Sequence, residues 1–136
     1  MELTPIGVRT ADEIERSITA FARSENGGVI VVGPTSSVQS HRNLIIALAA
    51  RHRLPAFYQH SYFVSDGGLA SIGIDDIDVA RRVAGYVDRI LKGEKPADLP
   101  VQQSTDLRFV LNLRTAKALG LDLPLNVLAL ADEVIE

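Results

Sequence analysis

Apolar positions along this chain alternate between a pattern typical of helices and one typical of strands. Ile14 and Ile18 recur at the spacing of one helical face, and they follow residues 10–13, whose sequence Thr-Ala-Asp-Glu predicts a capping box. The apolar run at residues 29–32 is rich in β-branched side chains. It predicts a strand that is covered on both faces and lies centrally in a parallel sheet.

The same plan repeats in the middle of the chain. A helix is predicted over residues 38–53, and strands are predicted over residues 55–58 and 69–74. Asp75 and Asp76 are positioned to cap a further helix, whose apolar side carries residues of one helical face: Ile77, Ala80, Ala84, Val87 and Leu91. Strands that alternate with helices of this length favour parallel βαβ units. The predicted class is therefore α/β, with helices flanking a parallel sheet in three layers.

In the rest of the chain, glycine and proline mark the ends of the predicted helices and the loops between them. Gly93 ends a helix, and a polar crossing that contains Pro96 and Pro100 follows it. A strand is predicted over residues 107–111, and Asn112 then starts a short helix that stops at Gly120. A last helix is predicted to begin near Pro124 and to carry the apolar residues Leu128, Ala131 and Val134.

Composition limits the classes of function. The chain has 136 residues, of which 46% are hydrophobic, so it fits one domain or a piece of one. Its net charge of −3 is not the excess of positive charge that favours binding to nucleic acid or anionic lipid, so neither partner is expected. Cysteine is absent, which excludes disulfides and thiolate metal sites. The first residues lack the features of a secretory signal, and no apolar run approaches the about 18 residues of a membrane span, so no membrane insertion is expected.

Ligands of parallel sheets bind where loops leave the carboxyl ends of the strands. Here those loops supply seven candidate ligand residues: Thr35, Ser36, Ser37, Gln59, His60, Tyr62 and Asp75. Serine and threonine are also preferred helix caps, so a purely structural role for the hydroxyl residues stays open. The aromatic residues at positions 57, 58, 62 and 63 cluster in one strand-to-loop segment, and they fit either core packing or a stacking surface for a flat ligand.

The histidines do not predict a metal site. His41 and His52 lie eleven residues apart on one predicted helix, which separates them by about 16 Å along its axis. His52 is better explained as a helix-end cation or surface residue, and His60 stands alone in a loop. No nucleophile elbow, P-loop or dinucleotide fingerprint is present in the sequence. We therefore predict no metal, no cofactor and no catalytic residue.

Long stretches of the chain resemble a known protein family. The stretches are, in order, VRTADEIERSITAFARSENGGVIVV, SHRNLIIALAARHRLPAFY, GYVDRILKGEKPADLPV and NLRTAKALGLDLPLNVLALADEVIE. Together they are similar to the C-terminal portion of substrate-binding proteins of ABC importers, in a family that includes binders of tryptophan and related amino acids. The resemblance implies a type I periplasmic-binding-protein fold, in which two α/β lobes close on a small organic ligand and deliver it to a membrane permease.

The resemblance also implies how the chain is organised. Residues 1–92 correspond to part of one lobe, and residues 93–136 to a proline-bounded crossing and a returning strand-helix-helix tail. The family's first lobe would precede residue 1, which leaves apolar faces uncovered. We therefore expect a homodimer or higher oligomer, formed for example by exchange of the segment after Gly93. The function that the resemblance implies is a truncated module that binds a small molecule, such as an amino acid, and the alternative is an oligomeric, non-catalytic interaction or sensory domain that has lost the ligand cleft. The family implies a periplasmic location, whereas the chain as written would stay in the cytoplasm.

Overall fold

A mixed sheet lies at the centre of the fold. The structure is a computed structural model that describes residues 3–24, 26–33, 36–102 and 106–136. Across these residues five strands form one sheet in the spatial order β1-β2-β3-β4-β5. The strands are β1 (Val29–Val31), β2 (Ala56–Tyr58), β3 (Ala70–Ile74), β4 (Leu107–Asn112) and β5 (Glu133–Ile135). β1, β2 and β3 are parallel, β4 is antiparallel to β3, and β5 is parallel to β4. The predicted α/β class is confirmed, although the sheet is mixed because the chain reverses between β3 and β4.

Helices connect the strands. In chain order they are α1 (Ala11–Phe21), α2 (Ser36–Ser40), α3 (Arg42–Arg51), α4 (Ser61–Ser65), α5 (Asp76–Leu91), α6 (Leu113–Leu119) and α7 (Leu125–Leu128), with a 3₁₀ turn at Pro96–Asp98 in the crossing. Among the described residues, no helix combines the length and the apolar character that a membrane span requires.

Local capping signals in the sequence are found where they were predicted. The Thr10 side chain accepts a hydrogen bond from the Glu13 amide at 3.2 Å and so starts α1. The carboxylate of Glu13 accepts in return from the amide of Arg9 at 3.3 Å, one residue before the cap. Asn112 caps α6 with its side chain, and Gly120 ends that helix in a left-handed conformation with φ of 74°. Each of these signals depends only on residues nearby in the sequence.

Apolar side chains pack on both faces of the sheet. On one face α1, α3 and α4 enclose the larger core, in which Ile14 is 0% and Phe63 is 1% exposed. On the other face Ala116 of α6 packs with Ala70 and Leu111, and side chains of α7 complete this smaller cluster. The smaller cluster does not extend over the whole face, because Ile72 and Ile74 of β3 and Leu107 of β4 stay exposed.

The predicted position of the first strand is wrong. Within the described residues β1 pairs only with β2 and forms an edge of the sheet. Ile30 is 63% exposed and the following Val32 is 70% exposed, so one side of this segment is uncovered. An apolar run predicts that both faces can be buried, but what covers them depends on distant parts of the fold.

Two helix predictions also need correction. The helix predicted over residues 38–53 is divided into α2 and α3 at His41. The predicted last helix stops at Leu128, and Val134 lies in β5, where it pairs with Leu111 of β4. A short apolar segment fits either a helix or a strand, and here it forms a strand because it pairs with the edge of β4. Residues 59–61 after β2 were predicted as a polar loop, and the structure begins the five-residue helix α4 at Ser61, the last of them.

Candidate functional site

The exits of β1, β2 and β3 form one edge of the sheet. Oε1 of Gln59, after β2, accepts a hydrogen bond from the amide of Gly33, after β1, at 2.9 Å. A Cβ atom at Gly73 of β3 would lie 1.9 Å from the carbonyl oxygen of Gln59, so only glycine fits there. Three strand exits are thus held together at the place where the sequence predicted a ligand.

A column of stacked aromatic side chains extends from the core to this edge. Tyr58 and Phe63 are both buried, with ring centroids 4.7 Å apart. Phe63 stacks in turn on Tyr62 at 5.1 Å, and Tyr62 stacks on His60 at 5.0 Å with an interplanar angle of 11°. His60 and Tyr62 are half-buried. Core packing therefore accounts for Tyr58 and Phe63, whereas His60 and Tyr62 lie at the outer end of the column.

Charges of both signs surround the outer rings. The guanidinium of Arg42 lies 5.3 Å from the centroid of the Tyr62 ring, and its Nε is 2.6 Å from a carboxylate oxygen of Asp66. On the other side, Nδ1 of His60 is 3.3 Å from a carboxylate oxygen of Asp76. Burial raises the pKa of the Tyr62 hydroxyl, the charge of Asp76 raises it further, and Arg42 opposes them. The hydroxyl of Tyr62 is therefore protonated at neutral pH and is able to donate a hydrogen bond.

Asp75 has structural partners at the same edge. Its carboxylate caps α5 by accepting from the amide of Ile77 at 2.9 Å, and it lies 2.8 Å from Nη1 of Arg108. These two contacts hold the pKa of Asp75 below its ordinary value, the amide bond having the larger effect. Nη2 of the same arginine contacts Glu133 at 2.8 Å. Arg108 thus joins the start of α5 to β5 through Asp75 and Glu133.

The predicted hydroxyl residues differ in their surroundings. The hydroxyl of Ser37 donates to the carbonyl of Val8 and so attaches the N-terminal segment to α2. Ser36 is exposed, and its carbonyl accepts from the hydroxyl of Ser40 at 2.7 Å. Thr35 lies outside the described residues. The edge therefore carries Gln59, His60 and Tyr62, and a ligand role stays a prediction for all seven candidate residues.

Comparison with known proteins decides the family. A profile of the family described as ABC transporter substrate binding protein matches residues 1–135. The chain belongs to this family. The resemblance in the sequence segments is therefore confirmed.

This family member is similar to proteins from several bacteria. A tyrosine-binding protein of Clostridioides difficile is 23% identical over 120 residues, which are 88% of this chain and 34% of that protein. A crystal structure of an ABC domain in complex with L-Trp from Streptococcus pneumonia superimposes with a TM-score of 0.82 at 27% identity, over 99% of this chain and 46% of that one. A conserved domain protein of Vibrio cholerae gives a TM-score of 0.77 at 30% identity, over 92% of this chain and 42% of that one. The chain thus spans less than half the length of these relatives.

Some residues at this three-strand edge were not predicted from the sequence. Arg42 and Asp66 come from α3 and the end of α4, and nothing local in the sequence marks either of them. Asp75 and Asp76 were both predicted as helix caps; Asp75 caps α5, whereas Asp76 contacts His60. Arg108 had a usable signal, because a charged residue interrupts an otherwise apolar strand.

At the buried end of the column, Tyr58 carries a hydroxyl that lacks a hydrogen-bond partner among the described residues. Its side chain is 2% exposed, and burial raises the pKa of Tyr58 to about 12. We expect Tyr58→Phe to retain full stability or to gain about 1 kcal/mol, because the substitution removes an unpaired polar group and keeps the ring. Urea unfolding of the two proteins at pH 7 measures the difference.

The raised pKa also gives a pH signature. Above pH 10 the unfolded chain loses the proton of Tyr58 while the folded chain keeps it until about pH 12. Stability from this group is complete below pH 10, and it should fall by about 1.4 kcal/mol per pH unit as the pH rises between these values. Tyr58→Phe should remove this part of the alkaline slope. An identical slope in both proteins would show that the hydroxyl is solvated in the folded state.

Proposed function

We propose that this chain is a small-molecule-binding module, and that it holds an aromatic amino acid at the exits of β1, β2 and β3. The observation that carries the proposal is the column of rings, which ends in the half-buried pair His60 and Tyr62 between charges of opposite sign. A ligand ring stacked on this end would continue the column. Such sites combine aromatic walls with a few polar groups that fix the orientation of the ligand.

The surrounding charges suit the two charged groups of an amino acid. Asp76 offers a carboxylate to an ammonium group beside His60. Arg42 pairs through Nε with Asp66, and its guanidinium has further N–H donors that suit a carboxylate. Gln59, which precedes His60 in the chain, adds an exposed side-chain amide. A ligand with a flat ring and a zwitterionic end matches this combination.

The relatives support this ligand class. One is named for binding tyrosine, and another was crystallised in complex with L-Trp. Both ligands carry a flat ring and the zwitterionic group for which the edge has partners. We further propose that the chain binds and releases this ligand without changing it chemically. We also propose that it delivers the ligand to a membrane permease of an ABC importer. In this proposal residues 1–92 form part of one lobe of the binding protein, and residues 93–136 form the proline-bounded crossing and the C-terminal tail.

The uncovered apolar faces favour a second candidate, an oligomeric domain that interacts with other proteins or senses a metabolite without a full cleft. Val83 of α5 is 53% exposed, and Ile30 and Ile72 on the sheet are 63% and 46% exposed. Exposed patches of this kind mark association surfaces in soluble proteins. The same surfaces support our proposal that the chain forms a homodimer or higher oligomer.

Calorimetric titration with L-Trp and L-Tyr tests the ligand proposal directly. We expect saturable binding to the unmodified chain, and a loss of at least about tenfold in affinity for Tyr62→Ala, since a stacked ring contributes about 1 kcal/mol beyond its buried area. Tyr86→Ala is the matched control, because this tyrosine lies on α5 away from the column. Gln59→Ala, with Gln102→Ala as its control, tests the polar side of the site.

The outcomes separate the two candidates. Binding that Tyr62→Ala weakens and Tyr86→Ala leaves unchanged supports the site at the ring column. Binding that neither substitution changes places the ligand elsewhere and overturns the site. If neither amino acid binds and a broader amino acid panel gives no thermal stabilisation, the interaction-domain candidate is favoured instead.

A further inference from the structure

Two side chains at the junction of β4 and α6 bind the end of α4. Nδ2 of Asn112 donates a hydrogen bond to the carbonyl of Val64 at 3.2 Å, and the hydroxyl of Thr115 donates to the carbonyl of Gly67 at 2.9 Å. The backbone amide of Asn112 donates in addition to the carbonyl of Leu69 at 2.9 Å. Three hydrogen bonds therefore connect the segment that ends α4 to the start of α6.

The side-chain amide of Asn112 has a partner at both of its ends. Asn112 is 5% exposed, and its Oδ1 accepts from the amide of Thr115 at 3.1 Å and so caps α6. Aspartate is an equally preferred cap, but an ionised carboxylate has no donor for the carbonyl of Val64. Capping alone therefore does not account for the bond to α4, which requires the nitrogen end of an amide.

Helix α4 carries the outer part of the ring column. It contains Tyr62, and Asp66, which follows it, lies 2.6 Å from Nε of Arg42. With five residues, α4 is far shorter than the about 12–15 residues at which a helix begins to be stable by itself, so its position depends on contacts with the rest of the fold. Burial of Phe63 and Val64 sets its depth, whereas hydrogen bonds, which require alignment of donor and acceptor, set its rotation.

We propose that Asn112 is a positioning residue for the ligand site, and that its bond to Val64 fixes the rotation of α4. That rotation determines where the ring of Tyr62 stands against the ring of His60. Thr115 supports the same arrangement through its bond after the end of α4. The effect on the ligand rests on the proposed function, whereas the place of the Tyr62 ring is a property of the free chain.

Asn112→Asp separates the two roles of the amide. At pH 8 a carboxylate that accepts from the helix amide is ionised, so it still caps α6 but sets one acceptor against another at the carbonyl of Val64. In the free chain we expect weaker nuclear Overhauser contacts between the rings of His60 and Tyr62. The dissociation constant of L-Trp should rise at least about fivefold, as for the loss of one hydrogen bond. Asn126→Asp is the matched control, because it makes the same change on the exposed surface of α7, and circular dichroism establishes that both variants stay folded.

Thr115 provides a second test that leaves Asn112 unchanged. Thr115→Val keeps the shape of the side chain and removes its hydroxyl, so the contacts between His60 and Tyr62 should weaken and the dissociation constant of L-Trp should rise about threefold. Thr115→Ser keeps the hydroxyl and should stay within about twofold of the unmodified chain. Equal effects of the two substitutions would show that this hydroxyl does not position α4. The pair decides the proposal if Asn112→Asp does not fold.

The measurements on the free chain and on the ligand are independent. Ring contacts and binding that Asn112→Asp weakens and Asn126→Asp retains support the positioning role. Ring contacts that Asn112→Asp leaves unchanged, or that both aspartate substitutions weaken equally, overturn it, and weaker ring contacts with an unchanged affinity overturn its effect on the ligand. If neither L-Trp nor L-Tyr binds the unmodified chain, the proposed function fails, while the ring contacts still decide whether Asn112 positions α4.

Discussion

Replacement of Phe63 by alanine is expected to lower the free energy of unfolding by about 3–5 kcal/mol, which is a large part of the stability of a domain of this size. Phe63 is 1% exposed and stacks on Tyr58 at 4.7 Å and on Tyr62 at 5.1 Å. Its removal leaves a cavity in the larger core and breaks the column in the middle. The substitution should therefore weaken ligand binding as well as the fold.

Urea unfolding followed by circular dichroism measures this loss. Phe109→Ala is the matched control, because Phe109 is only half-buried and stacks on Phe57 at 6.1 Å, both rings belonging to the smaller cluster on the opposite face of the sheet from Phe63. We expect the control to lose clearly less stability. Equal losses for the two variants would show that the column adds nothing beyond ordinary burial.

Gly73→Ala is the second substitution with a large expected effect. The new Cβ would stand 1.9 Å from the carbonyl oxygen of Gln59, a backbone atom that cannot move without shifting the exit of β2. Overpacking of this kind costs about 1–3 kcal/mol and here should reach the upper end of that range. Because the displaced segment leads into His60, ligand affinity should also fall by at least about tenfold.

Gly85→Ala provides the comparison for this glycine. A Cβ at Gly85 meets open space in the middle of α5, so the substitution should stabilise the chain by up to about 1 kcal/mol through helix propensity. Thermal unfolding of the two variants should therefore shift in opposite directions. A Gly73→Ala protein with unchanged stability would mean that the exits of β2 and β3 are further apart than the structure places them.

Features with local causes were predictable from the sequence. Thr10, Asp75 and Asn112 cap their helices with their own side chains, and Gly120 ends α6, because capping depends on neighbouring amides alone. The exits of β2 and β3 were likewise predicted to carry the candidate residues. This follows because parallel strands end at a common edge.

Features with distant causes were not predictable. The place of β1 at an edge depends on strand pairing far along the chain, and Val134 became part of a strand because β4 had a free edge beside it. Arg42 reaches Tyr62 only because the fold brings the start of α3 close to α4. Periodicity describes which side of an element is apolar, but it does not specify which element will cover that side.

A titration followed by nuclear magnetic resonance tests the central claim, that an aromatic amino acid binds at the outer end of the ring column. Backbone amide spectra of the ¹⁵N-labelled chain would be recorded with increasing L-Trp. Binding at the ring column should produce saturable shifts centred on Gln59, His60, Tyr62 and Asp76, and these shifts should be lost in Tyr62→Ala. Saturable shifts confined to residues away from this edge, or no shifts at millimolar L-Trp and L-Tyr, would contradict it.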